Sequence, residues 1–175
     1  MYFEHYKKKN KLQLTKLLTI FILAGVIYIA IEVLATAIQN KLAAKLDCWK
    51  YISLMGYSSI WMFFVGGMAG ILLGLFNEIK LIRRTKMIFQ AMLGCLFITG
   101  LELLVGILLN IIFKLNIWHY EGLHFLHQIN LTHSLLWFLL SPLAFWFDDY
   151  IRSRMYYEGE EYTFWFNYWK LIRLK

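Results

Sequence analysis

Cysteine is scarce in this chain: two residues in 175, Cys48 and Cys95, spaced as neither a disulfide framework nor a metal motif. Proline is scarcer still, with Pro142 alone. Acidic residues number 11 against 18 Lys and Arg, and charged residues make up 17% of the chain. No GxxxxGK[ST] pattern occurs, so the chain cannot hydrolyse ATP through a P-loop. What is abundant is apolar surface: 60% of residues are hydrophobic, 18% are aromatic and the mean hydropathy is +0.55. That is the profile of a small polytopic membrane protein, all-α, with no room for a soluble catalytic domain, and no enzyme activity is expected. The net charge of +7 is read as orienting and headgroup charge, not as nucleic-acid binding.

The longest apolar run, Met87 to Phe113, has no Lys, Arg or Pro and exceeds the ~20 residues a helix needs to cross ~30 Å of hydrocarbon. Glu102 lies near its middle. A carboxyl is costly there, and such residues usually face a bundle interior or a water-filled cavity. Cys95, Thr99, Glu102, Gly106 and Asn110 follow at steps of four, three, four and four, which puts them on one helical stripe. The other spans are expected to pack against that stripe.

Three further spans are read on either side of it. The first is 17–38, with Gly25, Tyr28, Glu32 and Thr36 on one face; it is too long for a signal-peptide core and is taken as an uncleaved anchor. The second is 55–76, with Gly66, Gly70 and Gly74 at four-residue spacing and Gly67 and Ala69 beside them. Small residues at that spacing let two helices approach closely in lipid. The fourth is 131–147, ended by Asp148-Asp149, which would cap the span at the cytoplasmic surface or dock a partner there. The tail, 150–175, finishes in TFWFNYWKLIRLK, an amphipathic segment suited to the headgroup region, with Trp165, Tyr168 and Trp169 as anchors. Residues 1–175 thus read as one membrane domain, a transmembrane helix bundle of four spans (17–38, 55–76, 88–113, 131–147) with an amphipathic tail.

Basic residues orient it. The amino-terminal segment (Lys7, Lys8, Lys9, Lys11, Lys16), the loop at 77–86 (Lys80, Arg83, Arg84, Lys86) and the tail (Arg152, Arg154, Lys170, Arg173, Lys175) hold fourteen of the eighteen. Lys41, Lys45, Lys50 and Lys114 fall on the other side. The positive-inside rule therefore puts both termini in the cytoplasm and the His-bearing loop at 114–130 outside.

From Gly100 to Arg152 the sequence resembles the carboxy-terminal half of the ABC-transporter type IV family of small bacterial integral membrane proteins. The resemblance rests on Leu101-Glu102, Trp118-His119-Tyr120, Gln128-Ile129, Ser134 to Trp137 and Asp148 to Tyr150. Gly56 to Glu78 is similar to that family's second span, and Glu32 resembles an acidic residue in its first. The chain departs at His119, where the family has Asp, and in a shorter, His-enriched loop around Leu123 to Gln128. The resemblance implies a permease-like subunit in the bacterial cytoplasmic membrane. It further implies a homo-oligomer or hetero-complex, with any ATPase a separate protein.

Two sets of residues are candidates for function. Glu32, Glu102 and His133 all fall in the outer half of the bilayer, so they are expected to converge on one outward-open polar pocket, with Thr99 and Asn110 along its wall. It would receive a cation, a proton or a polar group; the alternative is that the carboxyls hydrogen-bond helices together. His119, His124, His127 and His133 form the second set, a candidate metal or haem site that matches no closed motif; the alternative is an interfacial loop. No cofactor is required by the sequence. Three readings stand: a permease-like subunit, a non-transporting scaffold or regulatory subunit, and a metal- or haem-binding membrane protein. Membrane lipids are partners in all three.

The orientation has a direct check. A membrane-impermeant thiol reagent applied to intact cells is expected to label Cys48, in the first outer loop, and to spare Cys95 within the bilayer. Labelling of Cys48 that requires permeabilisation reverses the orientation.

Overall fold

Backbone amides in hydrocarbon find no water, so long apolar runs must close their hydrogen bonds within themselves, as helices. The computed structural model of the protein describes residues 14–43, 55–159 and 161–174. Cys48 and most of the amino-terminal basic segment lie outside these. Four long helices form the bundle: α1 (Leu14–Ala43), α2 (Ile60–Asn77), α4 (Met87–Gly106) and α5 (Leu131–Tyr156). A single turn, α3 (Lys80–Arg83), sits in the basic loop, and α6 (Trp165–Ile172) lies in the tail. The fold is all-α apart from two short strands, β1 (His124–Phe125) and β2 (Ile129–Asn130), paired antiparallel with His124 opposite Asn130 and Phe125 opposite Ile129. Three segments are long and apolar enough to cross a membrane: Leu14–Ile38, Ile60–Asn77 and Met87–Ile112. Their outward faces (Leu18, Ile22 and Val26 on α1; Leu96 and Leu104 on α4) are exposed, as lipid-facing surface would be.

Element ends differ from expectation where side chains capture backbone. Residues 55–59, expected within the second span, are not helical. The Thr36 hydroxyl on α1 donates to the Tyr57 carbonyl at 3.0 Å and accepts from the Tyr57 N–H at 3.0 Å, which removes that backbone from any helix of its own. Ser59 then caps α2, its Oγ accepting from the Trp61 N–H at 3.3 Å. At the other end of the bundle, Asp148-Asp149 do not terminate the fourth long helix. Asp148 is 2% exposed and its Oδ2 accepts from Arg152 Nε at 2.8 Å, one turn on. The helix continues to Tyr156 and stops at Tyr157, which takes the left-handed conformation (φ 54°, ψ 36°) of a helix C-cap.

The most extensive packing joins α1 and α2, and the glycines make it. A Cβ on Gly66 would strike the Tyr28 side chain, one on Gly70 would strike Ala24, and one on Gly67 would fall 2.6 Å from the Phe21 ring. Gly74 turns instead toward α5, where a Cβ would strike the Asp148 carboxylate. The expected packing face is thus divided between two partners. The apolar core (Ala69, Leu73, Met87, Ile98, Phe145) lies where α2, α4 and α5 meet, and Leu171 of α6 packs on it. The tail is therefore held at one face: buried Asn167 donates to the Pro142 carbonyl at 3.0 Å, Tyr168 OH to the Leu139 carbonyl at 2.8 Å, and Trp146 Nε1 to the Tyr162 carbonyl at 2.9 Å. Trp165 and Trp169 stay exposed on the other face.

Gly70→Leu should separate α1 from α2, because overpacking a tight site typically costs about 1–3 kcal/mol and here the neighbour is another helix. Leu72→Ile is expected to remain within about 1.5 kcal/mol of the parent, as volume-conserving swaps do. Thermal unfolding in detergent, read by circular dichroism, distinguishes the two.

Candidate functional site

Glu102 of α4 is 7% exposed, and each of its carboxyl oxygens meets a donor from a different element. Tyr120, in the loop after α4, donates its hydroxyl to Oε1 at 2.6 Å, and Trp137 of α5 donates Nε1 to Oε2 at 3.2 Å. Burial, with the adjacent Glu102 carboxyl reinforcing it, pushes the Tyr120 phenol above its ordinary pKa and keeps it a donor. Tyr28 of α1 stacks on Trp137 with ring centroids 5.8 Å apart and an interplanar angle of 11°. Beyond Tyr28, Glu32 accepts from Ser58 Oγ at 2.5 Å. Glu32 and Glu102 are close enough to interact electrostatically, and Tyr28 lies near both. Among the described residues neither carboxyl has a Lys, Arg or His in an ion pair with it.

His133 joins this cluster through an aromatic ring: its imidazole lies 4.4 Å from the Tyr120 ring, and its Nδ1 is 2.7 Å from Asn130 Oδ1. That oxygen also accepts the His133 N–H at 2.8 Å and caps α5. Glu32, Glu102 and His133 thus stand beside a common set of aromatic side chains, Tyr28, Trp137 and Tyr120, the last of which bonds Glu102 and packs on His133. Thr99 and Asn110, expected along the wall of one pocket with them, bond other residues. Thr99 donates to Ser134 Oγ at 3.2 Å, beside Cys95 Sγ donating to the Ser134 carbonyl at 3.0 Å, and these close the seam between α4 and α5.

Asn110 holds the loop at 114–130. It lies in a π-helical segment (Ile107–Ile112) that continues α4, with the Phe113 N–H bonded to the Leu108 carbonyl at 3.0 Å. Its Oδ1 accepts from the Ile117 N–H at 2.7 Å, and its Nδ2 donates to Gln128 Oε1 at 2.7 Å and to the Trp118 carbonyl at 3.1 Å. Gln128 in turn needs Gly106, where a Cβ would lie 2.6 Å from Gln128 Oε1. Trp118 Nε1 donates to the Gln128 carbonyl at 3.0 Å. This latch fixes the loop from which Tyr120 reaches Glu102. Insertions of this kind into an α-helix often accompany functional sites.

The histidines of the loop stack. His124 and His127 rings are 3.6 Å apart and His119 and His127 rings 4.1 Å, while His133 sits apart against Tyr120. The four do not form one ligand set, and among the described residues no group of three His, Cys, Asp or Glu is placed to hold a metal.

A second polar cluster closes the opposite end. Arg152, 4% exposed, joins Asp148 and Glu78, and Glu158 accepts from Lys16 Nζ at 2.6 Å. Asp149 accepts from Asn77 Nδ2 at 3.1 Å and from Tyr162 OH at 2.6 Å, with Arg83 at 3.7 Å. Burial, then the bond to Asp149, raises the Tyr162 pKa. Asp148 and Asp149 thus tie α5 to α2 and to the tail.

Tyr28, Ser58, Tyr120, Gln128 and Trp137 were not singled out as site residues from periodicity. Tyr28 stood on the first span's polar stripe, and Tyr120, Gln128 and Trp137 stood in the elements that carried the family resemblance. Replacing Tyr120 by Phe leaves one buried carboxyl oxygen without its donor and should destabilise the fold by about 1–3 kcal/mol. Asn110→Ala should release the loop at 114–130 and raise its rate of proteolytic cleavage in detergent, while Thr132→Ala, an exposed change on α5, leaves it unchanged.

No protein-family profile, curated protein or solved structure matches the chain, and the reading of its function rests on these residues.

Proposed function

We propose that the chain is a four-span, permease-like subunit of a transport complex, with the Glu32–Glu102 cluster as its proton- or cation-responsive site. The observation that carries this reading is the pair of carboxyls inside the bundle with no cationic partner among the described residues. A charge taken into hydrocarbon costs several kcal/mol unless it is paired, and intramembrane acids of this kind commonly mark ion or proton paths. Such a carboxyl gains by binding a proton or a small cation. Tyr120 and Trp137 hold Glu102 in place through neutral donors and leave its charge uncompensated.

The topology that serves this function has α5 as the fourth span. Gly94 faces Ser141 while Thr99 bonds Ser134, so α4 and α5 run antiparallel, an arrangement that supports α5 as a return span. With four crossings, the distribution of Lys and Arg favours cytoplasmic termini. The family resemblance favours the bacterial cytoplasmic membrane, a homo-oligomer or a hetero-complex, and a separate ATPase, since four spans are few for a complete path. The subunit would not itself be an enzyme. A second reading, a scaffold that uses the same carboxyls as interhelical glue, is favoured by one fact: both Glu102 oxygens already have protein donors.

Infrared titration of the purified protein in lipid separates the two. A carboxyl band that responds to pH or to added cation, and that is lost in Glu102→Gln with the helical content retained, is the expected outcome. Crosslinking and mass spectrometry should then capture an ATPase with the parent protein. An unresponsive band together with an ATPase-free complex assigns the chain to the scaffold class.

A further inference from the structure

Away from the carboxyl cluster, α5 and the tail border an open surface groove, lined by Trp146, Tyr150, Arg154, Glu161, Phe164 and Trp165 among others. Trp146, Tyr150 and Arg154 stand one turn apart on one side of α5 and therefore rise through about 12 Å along its axis. The order is an indole, a phenol and a guanidinium. If α5 is a span, that sequence runs from the edge of the hydrocarbon through the aromatic belt to the headgroups. Trp146 stacks on Tyr150 at 5.2 Å and meets Phe164 at 5.8 Å, so the inner wall is aromatic. The floor is fixed, because Trp146 Nε1 bonds the Tyr162 carbonyl and the Tyr162 hydroxyl bonds Asp149.

The rim carries both signs of charge. Arg154 and Glu161 pair at 3.0 Å, with both side chains exposed. An exposed pair of this kind holds itself together weakly and exchanges readily for other ions. A ligand that matches the rim must offer an anion to Arg154 and a cation to Glu161, and a ligand that matches the wall must carry an apolar body. The exposed face of α6 adds Trp165 and Trp169, with Lys170 4.2 Å from the Phe166 ring and Arg173 4.3 Å from the Trp169 ring, a surface suited to the bilayer interface.

We infer that this groove binds a zwitterionic phospholipid with an ethanolamine headgroup, its phosphate on Arg154, its ammonium on Glu161 and its glycerol and upper acyl chain along Tyr150 and Trp146. An anionic headgroup would satisfy Arg154 and leave Glu161 facing the phosphate. A choline headgroup carries the cation but has no N–H to donate to Glu161. The inference requires α5 to reach a membrane surface and is otherwise independent of the carboxyl cluster.

The test uses the full chain purified in detergent, with short-chain phosphatidylethanolamine, phosphatidylglycerol and phosphatidylcholine and free phosphoethanolamine as probes. Binding is read by native mass spectrometry and by thermal shift. Phosphatidylethanolamine should bind about fivefold more tightly than phosphatidylglycerol, the upper range for one exposed ion pair, and more tightly than phosphatidylcholine. Glu161→Gln should abolish the preference over phosphatidylglycerol while retaining lipid binding, and Arg154→Gln should weaken both lipids. Glu102→Gln should change neither. Both rim side chains are exposed, and circular dichroism verifies that the variants are folded. Equal affinity for the ethanolamine and glycerol lipids, or a preference that survives in Glu161→Gln, overturns the headgroup assignment. Free phosphoethanolamine binding as tightly as the lipid overturns the lipid assignment.

Discussion

A buried carboxyl in an apolar layer must be given donors, and Glu102 makes that demand on three elements at once. Its own helix cannot answer it, because every backbone amide within reach is committed to α4. One donor comes from α5 as the Trp137 indole, and the other from the loop after α4 as the Tyr120 phenol. Trp137 can hold its position because Tyr28 of α1 stacks on it. Tyr120 can reach because Asn110, Gln128 and Trp118 fasten the loop to the end of α4. The requirement of one side chain thus fixes the relation of α1, α4, α5 and a loop.

The two ends of the bundle solve different electrostatic problems. At the cytoplasmic end of the proposed topology, acids and bases meet directly: Arg152 with Asp148 and Glu78, Lys16 with Glu158. The Arg152–Asp148 pair is buried on both sides, and such a pair neutralises itself but contributes little net stability once desolvation is counted. The value of these contacts is in register, since Asp148 fits only against Gly74 and Asp149 only between Asn77 and Tyr162. At the opposite end the acids meet neutral donors instead. A carboxyl without a cationic partner is the part of the molecule best placed to respond to a proton or a cation, and the proposed function rests on that end.

Between these ends, helix contact is governed by the absence of side chains. Gly66, Gly67 and Gly70 admit Tyr28, Phe21 and Ala24 of α1, and Gly94 admits Ser141 of α5. In lipid, where apolar faces gain little by meeting one another, close approach and hydrogen bonds must hold the helices. The seam of Cys95, Thr99 and Ser134 adds the polar part of that contact between α4 and α5.

The long helices follow from the apolar runs alone, because such a segment has no other way to satisfy its backbone in hydrocarbon. Periodicity also placed Glu102, Thr99 and Asn110 on one stripe, Glu32 and Tyr28 on another, and the glycines at a helix contact. Periodicity describes a face and is silent on what lies across from it. Packing across the bundle turns Gly74 to α5 and Gly66 and Gly70 to α1, gives Thr99 a seam and Asn110 a latch, and stacks the loop histidines. It likewise carried the helix past Asp148-Asp149, because Gly74 leaves a space in which the Asp148–Arg152 pair is buried. An acidic pair reads as a helix end when its partners are unknown, and beyond Arg152 those partners lie on α2, in the basic loop and in the tail, 72 residues away in the case of Asn77.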